Sequence, residues 1–432
     1  MIKLAMIGAG SVVFSKNLTG DVLRLPELRQ ATICLMDIDA ERLEVAARLS
    51  RKVAQAVGAD PKIEATQDRR AALSGADFVI NMVQIGGLPS TEIDFDIPRK
   101  YGLHFTIADT TGPGGIFRAL RTYPMLRDLC REMKEVCPKA LLLNYANPMS
   151  MNMRTIALHG VRGVGLCHSV QGTINELASY LHLDPREIDF SCAGINHMAF
   201  YLKLEHRGQN LYPRLFEAMN HPEIYNRNKI RFELLKRLSY FVTESSEHNA
   251  EYSPYFIPHG QEAISRYGVP IDEYLRRCHQ IGREFDEIRQ VARGDGGVQF
   301  NPSQEYAAPI VQAIVRDKPI IVYGNLPNHG PGGACITGIA AGAITEGPVR
   351  VDGAGLSWQP IGELPPQLLG YIQPHLIQHE LFVRAVTEER RDHVYQAVMF
   401  DPLTAATLTL DQIVSMCDEL IAAHGALLPK LG

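Results

Sequence analysis

The sequence predicts an α/β chain, an N-terminal doubly wound parallel sheet followed by a larger mixed α+β part. Three observations lead there. The first third alternates short apolar runs with helical patterns, the rhythm of strands joined by crossover helices. The first apolar run ends directly in a glycine turn, Ile7-Gly8-Ala9-Gly10-Ser11. Beyond Asn147-Pro148 the alternation fades into helical stretches separated by glycine- and proline-rich connections.

Residues 4–7, 33–36, 78–83 and 141–143 are the expected strands, each a short apolar run bounded by turn residues. Residues 41–57 place Leu43, Ala46, Leu49, Val53 and Val57 at spacings of three and four. That apolar stripe predicts a helix lying on one sheet face, with Asp39 as its N-cap. Further helices are expected over 230–238, 271–291 and 410–423. Segment 324–360 is rich in Gly, Pro and small residues without a clear period, and is expected to form loops or short irregular strands. A boundary near Asn147-Pro148 would divide the chain into a nucleotide-binding domain, 1–150, and a substrate-, metal-binding and oligomerisation domain, 151–432. No internal repeat is evident.

With 432 residues, 46% of them hydrophobic, the chain can bury a large core. Its 43 basic and 48 acidic residues are well mixed, with a net charge of -5, so no basic face suggests nucleic acid and no polybasic segment suggests a membrane. Small-molecule partners are the default. Residues 1–10 resemble neither a signal peptide nor a spanning helix, which predicts a cytoplasmic protein. The eight cysteines lack framework spacing and are expected to remain thiols in a reducing compartment.

Gly8, Gly10 and Ser11 form a turn that lets a pyrophosphate approach backbone N–H groups at the start of the next helix. Val13 stands where the full fingerprint has its third glycine. The second strand ends in Met36-Asp37-Ile38-Asp39, where Asp37 can accept both ribose hydroxyls and so favours NAD over its 2′-phosphorylated form. The exit of the next predicted strand, beginning at Asn81, would run beneath the dinucleotide. A second glycine-rich stretch, Asp109-Thr110-Thr111-Gly112-Pro113-Gly114-Gly115, precedes a helical run and could bring Asp109 to a sugar hydroxyl. Cys167 ends the apolar run 164–166, at the strand edge where open α/β sheets bind ligands, and His197 follows thirty positions later. Thiolate and imidazole could share one metal with an open shell, as a catalytic ion requires. Their softness suggests zinc without fixing the metal.

Gly8-Ala9-Gly10-Ser11, Asp109-Thr110-Thr111-Gly112-Pro113-Gly114-Gly115, Asn144-Tyr145-Ala146-Asn147-Pro148-Met149, Cys167-His168-Ser169-Val170 and Gly194-Ile195-Asn196-His197 occur in an order that resembles glycoside hydrolase family 4. These are NAD- and manganese-dependent glycosidases outside the usual two-carboxylate mechanism. The Cys-His-Ser-Val form looks like the α-galactosidase branch, and the similarity is weakest over 327–355. The resemblance implies a Rossmann-like fold, an α-galactoside substrate and a homodimer or homotetramer. It further implies oxidation at sugar C3, proton removal at C2, elimination, water addition and re-reduction. By the same resemblance Cys167 and His197 are the metal ligands, Asn147 binds substrate, and His168 is the leaving-group acid or a residue orienting the metal site. Tyr252 and Glu244 are the candidate C2 bases, with Tyr252 preferred. Asp109 is a hydroxyl-binding or acid residue. The alternatives are family relatives acting on α-glucosides, glucuronides or galacturonides, an NAD-dependent hydroxy-acid dehydrogenase, and a non-catalytic NAD-binding protein. The Cys167 and His197 pair argues against the dehydrogenase, which needs no metal.

Overall fold

A computed structural model describes residues 2–432; Met1, the first residue of the N-terminal run, lies outside them. The strands in chain order are β1 (Lys3–Ile7), β2 (Thr32–Met36), β3 (Lys62–Thr66), β4 (Phe78–Asn81), β5 (Leu141–Asn144), β6 (Gly163–Gly165) and β7 (Ile188–Ile195). After them come β8 (Met198–His206), β9 (Gln209–Asn210), β10 (Ile320–Pro327), β11 (His329–Gly330), β12 (Gly333–Ala334), β13 (Ile344–Asp352) and β14 (Gly355–Trp358). The main sheet is ordered β3-β2-β1-β4-β5-β6-β10-β13-β7-β8-β9, with β14 beside β13, while β11 and β12 pair separately.

From β3 to β6 every pairing is parallel. The order reverses between β1 and β4, which opens a crevice at their carboxyl ends, the place where doubly wound sheets bind ligands. Helices Val12–Leu23, Ala40–Ala56 and Gly112–Val136 supply crossover connections of this region. Asp39 caps the second of them, its carboxylate accepting the Glu41 and Arg42 N–H groups, and Leu43, Ala46, Leu49 and Val53 are buried as the periodicity requires. The helices expected over 230–238, 271–291 and 410–423 run Lys229–Leu238, Glu273–Arg293 and Leu410–His424.

Segment 324–360 differs in part from expectation. Beside the short strands β11, β12 and β14, which fit the expectation of short irregular strands, it carries β13 and the end of β10, two long strands that pair antiparallel in unbroken register from Ile320↔Val351 to Pro327↔Ile344 in the middle of the sheet. Their central residues are buried on both faces, so no alternation marks them. Their glycines fit because neighbours crowd the backbone: a Cβ on Gly347 would lie 2.5 Å from the Cys335 Sγ. β3, β7 and β8 also escaped the strand pattern; β3 is a polar edge strand with no fully buried residue. Residues 112–115, three glycines and a proline expected ahead of a helix, form its first turn, with Pro113 in the second position, where its missing N–H costs nothing. The parallel and antiparallel halves join through one bridge, Gly165 of β6 to Asn325 of β10, so the sheet continues without a gap past residue 150.

Candidate active site

Gly8, at φ 87, turns the chain out of β1, and the Gly8 and Ala9 N–H groups both donate to the Met36 carbonyl. Asp37 accepts the Gly10 N–H at 2.7 Å, and a Cβ on Gly10 would collide with that carboxylate at 2.6 Å. The turn and the acidic residue at the end of β2 are therefore one unit. The following helix has no side-chain cap at Ser11, leaving first-turn N–H groups for an anion. Val13, in place of the third glycine, is 48% exposed, so its side chain does not obstruct the helix–sheet contact that glycine would otherwise serve. Asn81 ends β4 and donates to Asn144 Oδ1 of β5 at 2.8 Å. It braces the strand ends from within the core.

On the other side of the crevice, Asp109 accepts from Thr110 Oγ1 at 2.8 Å and from Asn147 Nδ2 at 3.1 Å. Arg118 lies 3.9 Å away, with its Nε lacking a partner among the described residues. Burial works to raise the Asp109 pKa, but Arg118, His248 and His197 outweigh it and hold the carboxylate below its ordinary range.

Cys167 stands two residues beyond β6, and His197 occupies the tight connection between β7 and β8 at φ 67. Together with Glu244 they bring three ligand atoms within 4.8 Å of one another, a group that could hold a metal ion. His197 Nε2 faces Glu244 Oε2 at 3.9 Å, while its Nδ1 meets the Tyr252 hydroxyl at 2.9 Å and Thr110 Oγ1 at 3.3 Å. Burial, with Glu244 and Glu346 nearby, pushes the Cys167 thiol well up; a cation in the pocket is what would make it a thiolate. Burial likewise lifts the Tyr252 hydroxyl far above its usual value.

Glu244's other oxygen lies 3.2 Å from His248 Nδ1, and the two imidazoles, His197 and His248, meet edge to face. Burial keeps His248 below the ordinary histidine range, against the pull of Glu244. His168 is apart from this cluster. Its side chain is 70% exposed, with Nδ1 3.7 Å from the largely buried Glu305.

Sequence reasoning passed over three acidic or basic groups. His248 sits within the segment that supplied Tyr252 and Glu244, where nothing but geometry distinguishes it. Glu251 is buried on the backbone of residues 106–108. Glu346, the third residue of β13, accepts from Asn325 at 3.0 Å and is pushed by burial up to about 7, partly offset by His197. The weak local pattern of 327–355 concealed it.

A glycine turn at the switch point of a doubly wound sheet, facing a Cys-His-Glu pocket at the same edge, defines a dinucleotide-fold enzyme equipped for metal-assisted chemistry. Residues 3–183 match the Family 4 glycosyl hydrolase description, and residues 192–404 match the Family 4 glycosyl hydrolase C-terminal domain. The chain belongs to family 4 of the glycosyl hydrolases. It is 39% identical over 434 residues to an alpha-galactosidase of Bacillus subtilis (strain 168), covering 100% of both chains. An alpha-galactosidase of Rhizobium meliloti (strain 1021) is 32% identical, covering 99% of this chain and 89% of that protein. Among solved structures, a 6-phospho-alpha-glucosidase from gut microorganisms in complex with NAD and Mn2+ superposes with a TM-score of 0.83 at 20% identity, covering 100% of both chains. A malate dehydrogenase from Salinibacter ruber superposes at 0.54 with 14% identity, covering 90% of this chain and 99% of that one, so the dehydrogenase alternative shares the fold.

Proposed function

We propose that this chain is an NAD- and manganese-dependent glycosidase that hydrolyses α-galactosides. The observation that carries the reading is the meeting of Cys167, His197 and Glu244 in a chain 39% identical over its full length to an alpha-galactosidase. The donor set fits a divalent ion: thiolate, imidazole and carboxylate leave coordination positions for substrate oxygens. The Gly8–Ser11 turn with Asp37 fits NAD. When bound, the two groups supply reversible oxidation at sugar C3 and charge neutralisation at the C2 and C3 oxygens, so that the C2 proton becomes acidic and the C1 aglycone can leave.

The residues of the chain then divide the work. Cys167 and His197 would hold the metal, with Glu244 as its third protein ligand. Tyr252 fixes the His197 tautomer, since an imidazole ligating through Nε2 donates its Nδ1–H to the phenol oxygen. Asn147 and Asp109 hold sugar hydroxyls, with Arg118 keeping Asp109 ionised. We assign the C2 proton to His248, in preference to Tyr252 or Glu244. Burial favours its neutral form, its Nε2 has no hydrogen-bond partner among the described residues, and its Nδ1 meets Ser245 Oγ at 3.0 Å with the Glu244 carboxylate 3.2 Å away to stabilise the imidazolium that forms. His168, beside Glu305, serves the leaving group from the exposed side. The same reading carries domains at 1–150 and 151–432, a homodimer or homotetramer, and a cytoplasmic location. Among the described residues no helix is long and apolar enough to cross a membrane.

Release of p-nitrophenol from its α-galactoside tests the reading, with NAD and Mn2+ each omitted in turn under a thiol reductant. Turnover that needs both is the expected result. Activity confined to an α-glucoside or α-galacturonide would move the substrate, and silence on all three with oxidation of a hydroxy acid would overturn the glycosidase.

A further inference from the structure

Glu251 is 2% exposed and hydrogen-bonds to none of the groups given a chemical role above. Its Oε2 accepts the Thr106 and Ile107 N–H groups, each at 3.0 Å, and its Oε1 accepts the Ala108 N–H at 3.0 Å. Thr106 Oγ1 lies 2.9 Å from Oε2 and 2.7 Å from the Glu247 carbonyl oxygen, so its one hydroxyl proton is shared between the two. Consecutive N–H groups converging on one carboxyl side chain make an anion nest that holds backbone firmly; burial works against the charge and lifts this group up to about 7, with the bonds from Ile107 and Thr106 pulling the other way.

The nest lies immediately before Asp109. Ala108 within it has φ 55, a conformation that a residue with a Cβ keeps only when its surroundings enforce it. From the opposite side the first turn of the Gly112–Val136 helix presses on the same loop. A Cβ on Gly114 would sit 2.4 Å from the Ala108 carbonyl oxygen, and one on Gly115 would sit 2.5 Å from the Thr110 carbonyl carbon. The loop is clamped between a carboxylate and a bare helix surface. Glu251 is also the residue before Tyr252, whose hydroxyl holds His197, so one side chain connects the segment that orients the metal histidine to the loop that carries Asp109 and Thr110.

We propose that Glu251 is a positioning residue: by binding the backbone of residues 106–108 it fixes Asp109 and Thr110 relative to His197. The proposal rests on the glycosidase reading for its kinetic consequence, and its structural consequence is independent of any substrate.

Glu251→Gln keeps the size but turns one accepting oxygen into an NH2 group facing N–H donors. Hydrogen exchange at residues 106–108 should accelerate by about tenfold or more, with protection of β1, β4 and β5 unchanged. On p-nitrophenyl α-galactoside, kcat should fall about hundredfold, the scale of an ångström-sized misplacement, with KM changed far less. Glu251→Gln should also add nothing to Asp109→Asn, because both act through one loop. Thr106→Val, which removes the hydroxyl shared between Glu251 Oε2 and the Glu247 carbonyl and leaves the three N–H contacts, should show the same pattern at smaller amplitude and serves if the glutamine variant does not fold. Unchanged exchange at 106–108, or a kcat loss that multiplies with that of Asp109→Asn, overturns the proposal. Because exchange is read without substrate, its outcome stands even if the α-galactoside proves to be the wrong sugar.

Discussion

The Tyr252 hydroxyl meets His197 at Nδ1, 2.9 Å away, while Glu244 faces the other ring nitrogen, Nε2, so the phenol stands behind the ligating nitrogen and suits orientation better than proton abstraction. The two roles predict different measurements. Tyr252→Phe should weaken Mn2+ binding about tenfold, the usual cost of losing a partner behind a ligand, as read by EPR titration of free Mn2+. Glu244→Gln should weaken it further, because it removes a ligand. Mn2+ affinity unchanged in Tyr252→Phe with turnover abolished would restore the tyrosine as the base. Unchanged affinity in Glu244→Gln would remove it from the coordination sphere. At this scale the sequence was informative where chemistry is written in contiguous motifs. Cys167 at a strand edge, His197 and the Asp109 loop could be picked out before any fold was known. His248 and Glu251 could not, since what distinguishes them is which atoms they touch across the site: Glu244 Oε1 for one and the 106–108 amides for the other.

Among the elements, β10 and β13 carry the least legible information. Strands covered on both faces need neither alternation nor large side chains, so a glycine- and proline-rich stretch read as loops or short irregular strands includes two long strands of the central sheet. β1, β2 and the Ala40–Ala56 helix were legible because a solvent-facing side gives helices a period and turns give strands sharp ends. The buried strand pair also holds an ionisable group with a measurable consequence. Burial raises Glu346 from its ordinary 4.5 to about 7. Between those values the native state keeps a proton that the unfolded chain has released, so this residue's contribution to stability falls as pH rises through the window. The full swing is about 3 kcal/mol at 1.36 kcal/mol per pKa unit. Glu346→Gln removes it. In urea unfolding of metal-free protein, the stability of the glutamine variant relative to the parent should therefore increase from pH 4.5 to pH 7.5 and level off beyond. A difference that is flat with pH would show that Glu346 titrates normally.

At the scale of the whole molecule, one sheet joins the glycine turn near the start of the chain to β14 near residue 358, and a buried network closes the assembly. Arg121 grips Asp94 at 3.0 and 2.6 Å, and His424, at the end of the Leu410–His424 helix, lies 3.0 Å from the same carboxylate. Breaking such a buried pair costs about 3–5 kcal/mol, enough to tie the C-terminal helix to the dinucleotide half. Buried side chains of the two matched family regions, 3–183 and 192–404, pack into one core, among them Leu143 and Ile116 of the first with Ile195 and Val349 of the second, so a ligand held by the first should stabilise the second. Trp358 is the only tryptophan, lies in β14 and is 2% exposed, so its fluorescence reports the C-terminal part alone. With NAD at a hundred times its Kd, binding adds about 2.7 kcal/mol to whatever unfolds as one unit with the glycine turn. The urea midpoint seen by Trp358 fluorescence should then rise by the same amount as the midpoint seen by far-UV circular dichroism, in one transition. If NAD moved the dichroism midpoint and left the tryptophan midpoint where it was, the continuous sheet would be two units that meet at the Gly165–Asn325 bridge and unfold apart.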